Sequence, residues 1–194
     1  NYNVAIGGNA MRSANGSTSI GIGIQALFNN TGNSNVALGF NSMFTNTSGS
    51  NNIGIGNDAL NKNTTGNYNV AVGVGALTNN TSAIYNTAVG YMALQTNTTG
   101  SYNTAMGWDA MAATTTGNNS TAIGHWSLHS NTTGVNNLAL GSHTLSFNVT
   151  GSSNSAVGVL SGQNNTGSNN VFLGYQSGQN NTGNGNIFLG SQAG

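Results

Sequence analysis

Seven side chains carry nearly all the acid–base and metal-binding capacity of this chain: His125, His129, His143, Asp58, Asp109, Arg12 and Lys62, in 194 residues without a cysteine. His125 and His129, in HWSLH, have the spacing of two metal ligands on one helix face, and His143 lies one repeat further on, near enough to share a site with His125. The Glu that a metalloprotease needs between two such histidines is missing, and no helix is expected here. A shared metal site and three polar surface side chains are the two readings, and the second is the plainer. Two aspartates are too few for a calcium site or for paired-carboxylate catalysis. GIGIQA (Gly21 to Ala26) and GIGNDA (Gly54 to Ala59) fit a loose dinucleotide fingerprint, but neither opens a long helix nor has an acidic residue about 20 positions on. No G-x-S-x-G elbow and no acidic Gly-rich calcium repeat occurs. The residues therefore assign no catalytic, cofactor-binding or metal-ligating set, and the expectation is a protein that is not an enzyme and has no cofactor.

Charge narrows the partners further. Two basic and two acidic residues cancel, which leaves nothing to neutralise phosphates, so neither nucleic acid nor an anionic membrane surface is expected as a partner. No apolar run approaches the roughly 18 residues of a membrane span, and no signal-peptide pattern is present. An Asn-, Thr-, Ser- and Gly-rich chain would ordinarily suggest disorder, but here the apolar residues recur at fixed intervals.

Those intervals define the elements. Aligned on the glycine that closes each apolar phrase (Gly7, Gly23, Gly39, Gly56, Gly73, Gly90, Gly107, Gly124, Gly141, Gly158, Gly174, Gly190), the chain is twelve copies of one unit spaced 16 or 17 residues apart. The extra residue falls in an Asn-Thr-Thr-Gly segment that shortens to Asn-Thr-Gly, which must be a loop because an insertion in a strand would shift its register. The whole of 1–194 reads as a single repeat domain, expected to be a fragment of a longer fibre chain because it begins and ends in mid-phrase.

Columns through the repeats assign each position. The residue before the glycine is always aliphatic (among them Val72, Val89, Ile123 and Leu140), the third before it is largely β-branched, and the one between is Ala or Gly until Phe172 and Phe188. This period of two predicts a short strand. Its aliphatic face is expected in the core, and its Ala/Gly face against a close neighbouring chain. Four residues after the glycine comes a second apolar column, including Leu77 and Leu94, expected to close the core from a second short strand or extended segment. Helix is disfavoured, because repeated Gly and Asn would cost each helix roughly 0.5 to 1 kcal/mol per residue.

Units this short cannot bury an apolar face alone, but stacked copies can. The expected fold is therefore all-β, a parallel β-solenoid or β-roll of twelve coils, making a rod of roughly 55 to 60 Å at the strand spacing of about 4.8 Å. In such a stack Asn35, Asn52, Asn69, Asn86, Asn103 and Asn137, four before the glycine, lie above one another. They either form a hydrogen-bonded amide ladder or serve only the turn before the strand. Gly39, Gly56, Gly73, Gly90, Gly107 and Gly124 mark a bend or a positive φ at the coil corner.

The phrases NTAVGYMAL (Asn86 to Leu94) and TNTTGSYNTAMG after it resemble the repeats of phage and prophage tail-fibre proteins. More distantly, they are similar to the head repeats of trimeric autotransporter adhesins. That resemblance implies a left-handed parallel β-roll, three chains about a common axis, and a role in attachment to a surface. The unit here is longer than the shorter adhesin repeat. The functional expectation is a non-enzymatic extracellular fibre shaft, on a virion or a cell surface, that presents a binding tip. Its partners would be itself, as homotrimer or filament, and a cell-surface glycan or other receptor. Alternatives are a self-assembling extracellular filament subunit and an ice- or glycan-binding solenoid using the loop threonines Thr64, Thr81, Thr98, Thr115 and Thr132. Aromatic residues after the glycine (Phe40, Tyr91, Trp108, Tyr175) could stack on sugars or pack on neighbouring coils. Asn63, Asn97 and Asn131 fall in glycosylation sequons generated by the loop consensus.

Overall fold

The computed structural model describes residues 2–194. It contains twelve three-residue strands: β1 (Val4–Ile6), β2 (Ile20–Ile22), β3 (Val36–Leu38), β4 (Ile53–Ile55), β5 (Val70–Val72), β6 (Thr87–Val89), β7 (Thr104–Met106), β8 (Thr121–Ile123), β9 (Leu138–Leu140), β10 (Ser155–Val157), β11 (Val171–Leu173) and β12 (Ile187–Leu189). Each pairs in parallel with the next, in one twelve-stranded sheet whose order follows the sequence. Equivalent residues lie opposite one another throughout, as Val70 to Thr87, Ala71 to Ala88 and Val72 to Val89. This is a parallel β-solenoid, one coil per repeat. No strand of three residues is stable alone, so each coil depends on its neighbours.

The second apolar segment is not a strand. After the corner glycine the chain makes three overlapping four-residue turns, closed in the fifth coil by Ala76 N–H to Gly73 O, Thr78 N–H to Gly75 O and Asn80 N–H to Leu77 O. Positive φ recurs two and four residues after the glycine, for example at Asp58 and Leu60 or Asp109 and Met111. This accounts for a choice the sequence makes consistently. The fourth position is Leu or Met through Leu145 and never Val or Ile, because branching at Cβ is least tolerated at positive φ, whereas the extended strand positions take Val, Ile and Thr. The backbone still binds the next coil here, through bonds such as Leu77 N–H to Ala93 O.

Gly39, Gly56, Gly73, Gly90, Gly107 and Gly124 all stand at the corner with φ between +133° and +141°. At Gly73 a Cβ would lie 2.2 Å from Gly90 O of the next coil, so both the turn and the stacking distance require glycine.

The two strand faces are the reverse of the expectation. The strand-centre column Ala37, Ala71, Ala88, Ala105, Ala122, Ala139 and Ala156 is fully buried, as are Leu77, Leu94 and the rest of their column from Leu27 to Leu145. Val72, Val89 and Leu140 are only half-buried, and Ile123 is 42% exposed. The core thus contains Leu77 and Leu94 but not Val72, Val89, Ile123 or Leu140, and the Ala/Gly face meets no second chain because it lines the coil interior. The reason is width. One coil points only about five side chains inward, Asn69, Ala71, Ala76, Leu77 and Asn80 in the fifth, and a large residue on one wall leaves room only for a small one opposite.

The last coils confirm the pairing of walls by exchanging it. From coil ten the turn position becomes Gly162, Gly178 and Gly194, while the strand centre becomes Phe172 and Phe188. A Cβ on Gly178 would lie 2.2 Å from the Phe172 ring, and one on Gly162 2.7 Å from it. The rings therefore occupy the space that leucine fills elsewhere, and they stack with centroids 5.9 Å apart.

Two asparagine ladders flank this core. In the first, Oδ1 of Asn35, Asn52, Asn69 and Asn86 accepts the backbone N–H of the equivalent Asn one coil on, at 2.9 to 3.0 Å. Asn103 does the same for Ser120, and Asn137 for Asn154. Each Nδ2 also donates to a loop carbonyl of the next coil, as Asn52 to Gly66 O and Asn69 to Ala83 O, both 2.8 Å. The second ladder, seven residues after the glycine, joins side chains directly: Asn46 donates to Asn30 at 2.6 Å, Asn63 to Asn46 and Asn80 to Asn63 at 2.7 Å. All are buried, so their amides replace water with each other.

Candidate functional site: the outer sheet face

With alanines inside, the strands present two columns outward. One runs Val4, Ile20, Val36, Ile53, Val70, Thr87, Thr104, Thr121, Leu138, Ser155, Val171 and Ile187. The other is the unbroken aliphatic column Ile6, Ile22, Leu38, Ile55, Val72, Val89, Met106, Ile123, Leu140, Val157, Leu173 and Leu189. Leu38 is 40% exposed and Met106 41%. Beside them the residue after each corner glycine adds exposed Ile24, Phe40, Val74, Tyr91, Trp108, Val159 and Tyr175. None of the four formal charges falls in these columns. The parallel register carries the face along the whole rod without interruption. Soluble single chains rarely leave so extended an apolar surface uncovered.

Within it lies one polar block. Thr87, Thr104 and Thr121 face each other up the sheet, and Ser155 stands two coils beyond Thr121. All four are half-buried. Their hydroxyls make no hydrogen bond to another described group of the chain, in contrast to the loop threonines. Thr64 Oγ1 donates to Thr81 O at 2.8 Å, Thr81 to Thr98 O and Thr98 to Thr115 O at 3.0 Å, and Thr115 to Thr132 O at 3.2 Å. Thr132 continues to Val149 O at 3.1 Å. The loop array suggested for ice or glycan thus spends its protons on the next coil.

The histidines gather with the tryptophans on the turn side of coils seven to nine. His125 stacks on Trp108, with centroids 4.7 Å apart and planes 1° apart. His129 stacks on Trp126 at 4.3 Å, and His143 meets His125 edge-on at 4.9 Å. Among the described residues no group of three or more His, Asp or Glu side chains is placed to hold one metal ion. Burial lowers the His129 pKa below its ordinary value, Asp109 opposes this with a smaller effect, and His125 adds to it. The cluster is a set of packed rings between coils.

Phe40, Tyr91, Trp108 and Tyr175 all stay about half exposed, and Trp108 also stacks on His125 of the next coil. A third aromatic row, five before the glycine, was not singled out by the sequence reading. Tyr68, Tyr85 and Tyr102 are exposed and stacked at 4.9 and 5.2 Å. Their consecutive occurrence at one repeat position was the available signal. The second asparagine ladder was also unassigned, although its residues recur at a fixed position. It includes Asn63, Asn97 and Asn131, whose complete burial removes the three sequons from reach of a glycosylating enzyme in the folded chain.

An open cleft lined by Gly178, Asn181 and Phe188 lies beside the Phe188 ring. No helix among the described residues is long and apolar enough to cross a membrane. Comparison with family models, with curated proteins and with solved structures finds no match, so the outer face is interpreted from its own residues.

Proposed function

We propose that this chain is a non-enzymatic structural segment, the shaft of an extracellular fibre in which copies of the chain pack side by side about a common axis, three in the expected form, and carry a binding tip away from a virion or cell surface. The observation that supports this reading is the charge-free aliphatic face running along all twelve coils. Eleven steps of about 4.8 Å and a width of three residues, about 10 Å, give a footprint of about 500 Å² per copy before the flanking aromatics are added. Two such surfaces approach the roughly 1,000 Å² that separates specific interfaces from incidental contacts. The interior supports the same role: stacked amides and continuous inter-coil bonding suit a stiff rod.

The face toward the partner copies is the Val/Ile/Leu face, in place of the Ala/Gly face first expected. Multi-angle light scattering of the chain at tens of micromolar should give a multiple of the 19.5 kDa chain mass, three copies in the expected form. A mass of one chain across that range would remove the reading.

A further inference from the structure

We propose that Thr87, Thr104 and Thr121, with Ser155, set the axial register in which copies of this chain pack, parallel and level, on the outer sheet face; this rests on the shaft reading above.

A rod of twelve near-identical coils has a register problem. An aliphatic face that repeats every coil is almost as well satisfied when a second copy slides by one coil, about 4.8 Å. Something aperiodic must distinguish the level alignment from its neighbours. The strand column that ends in the corner glycine cannot, since it is aliphatic in every coil. The other outward column can. It reads aliphatic through Val70, then Thr87, Thr104 and Thr121, then Leu138, Ser155, Val171 and Ile187. These four hydroxyls have no hydrogen-bond partner among the described residues, so covering the face obliges them to find one across the contact or be buried without one.

With this column nearest the common axis, level and parallel packing puts each hydroxyl beside its own equivalents, where each can donate and accept. A slip of one coil sets Thr87 against Val70, Thr121 against Leu138, and Ser155 against both Leu138 and Val171. An antiparallel arrangement about the middle of the block, at Thr104, matches Thr87 with Thr121 but sets Ser155 against Ile53. Among these, the level parallel arrangement alone leaves no hydroxyl facing an aliphatic side chain. The occupant is a second copy of this chain, because two such faces approach the area a specific interface needs and the equivalent hydroxyls can serve as one another's partners. The physics is that of a single polar residue in a coiled-coil seam, which fixes register at some cost in stability.

Because the chain has no cysteine, single nitroxide labels at Ser82→Cys and Thr182→Cys, both exposed loop positions, report register directly. Inter-copy distances are measured by pulsed electron–electron resonance, with sedimentation equilibrium on the same samples. The expected result is one narrow, similar distance at each site in the otherwise native chain. In Thr87→Val/Thr104→Val/Thr121→Val/Ser155→Val the copies should still associate, but with several distances from populations displaced by one or more coils. Thr104→Val alone is a milder variant, expected to raise the slipped fraction measurably while keeping the native far-ultraviolet circular dichroism. An associated native chain with several registers, a distance at Thr182 much longer than at Ser82, or a single register retained by both variants would overturn the register assignment and leave the shaft reading intact. A native chain sedimenting as a monomer would overturn both.

Discussion

Ala88 and Val89 are neighbours in β6, yet Ala88 is sealed inside the coil and Val89 lies on the rod's surface. The usual rule, large apolar residues inside and small ones tolerated outside, is inverted from β2 to β10. In a coil of 16 or 17 residues the interior is filled from the opposite wall by Leu77, Leu94 and their equivalents, and from both bends by asparagine amides. Only a methyl group is left for the strand. Large side chains are then relegated to the outside, and their persistence there through all twelve coils is the basis for proposing that copies of the chain pack on this face.

The comparison breaks most severely at its inner wall. Leu94→Asn should destabilise the protein by about 3 to 5 kcal/mol from lost packing alone, with a further cost for the buried amide. Because Leu94 has φ +53°, a conformation Asn accepts readily, the loss would report packing, and an unchanged thermal midpoint would contradict its burial. Ala88→Leu adds three carbons to a filled interior and should cost about 1 to 3 kcal/mol, measured by denaturant unfolding. The same enlargement outside, Val89→Leu, should leave the stability of the coil near native, and equal losses would erase the distinction between the two faces.

A smaller effect of opposite sign is expected in the second ladder. Thr114 replaces asparagine there, and Asn97 Oδ1, Thr114 Oγ1 and Asn131 Oδ1 are all buried without a hydrogen-bond partner. Thr114→Asn would supply a donor to Asn97 and should stabilise by about 1 kcal/mol, seen as a raised unfolding midpoint. The smallest effect is a pH slope from the packed rings. The folded-state pKa of His129 is lowered by burial below its ordinary 6.5, so as pH falls below 6.5 the unfolded chain takes up its proton first. Stability is therefore complete above 6.5 and declines as pH drops through the lowered folded value. In His129→Gln that decline should be reduced over the same window, and an unaltered slope would place its source elsewhere.

The fold was largely legible because repetition exposes each position twelve times. Coil number, strand position, loop and corner glycine all follow from the columns. The identity of the inner face did not, because alternation reports two faces without saying which is inside. One signal was present. Where Ala gives way to Phe172 and Phe188, Leu gives way to Gly162, Gly178 and Gly194, a volume exchange that requires the two columns to face each other. Asn63, Asn97 and Asn131 were absorbed into a loop consensus, because a polar residue in an Asn-Thr-Thr-Gly segment gives no local sign of burial. The hydrogen bonds that bury it belong to the coils above and below. The outer face became visible only once the inner one was assigned.

Sedimentation equilibrium on the native chain and on Val72→Lys/Met106→Lys tests the central claim most directly. Both substitutions place an ammonium group on the outer column, two coils apart, and touch none of the buried positions. The native chain should sediment as an assembly, and the variant as a folded monomer of about 19.5 kDa with native circular dichroism. A monomeric native chain, or a variant that assembles as well as the native one, would contradict the assignment of this face as the contact between copies.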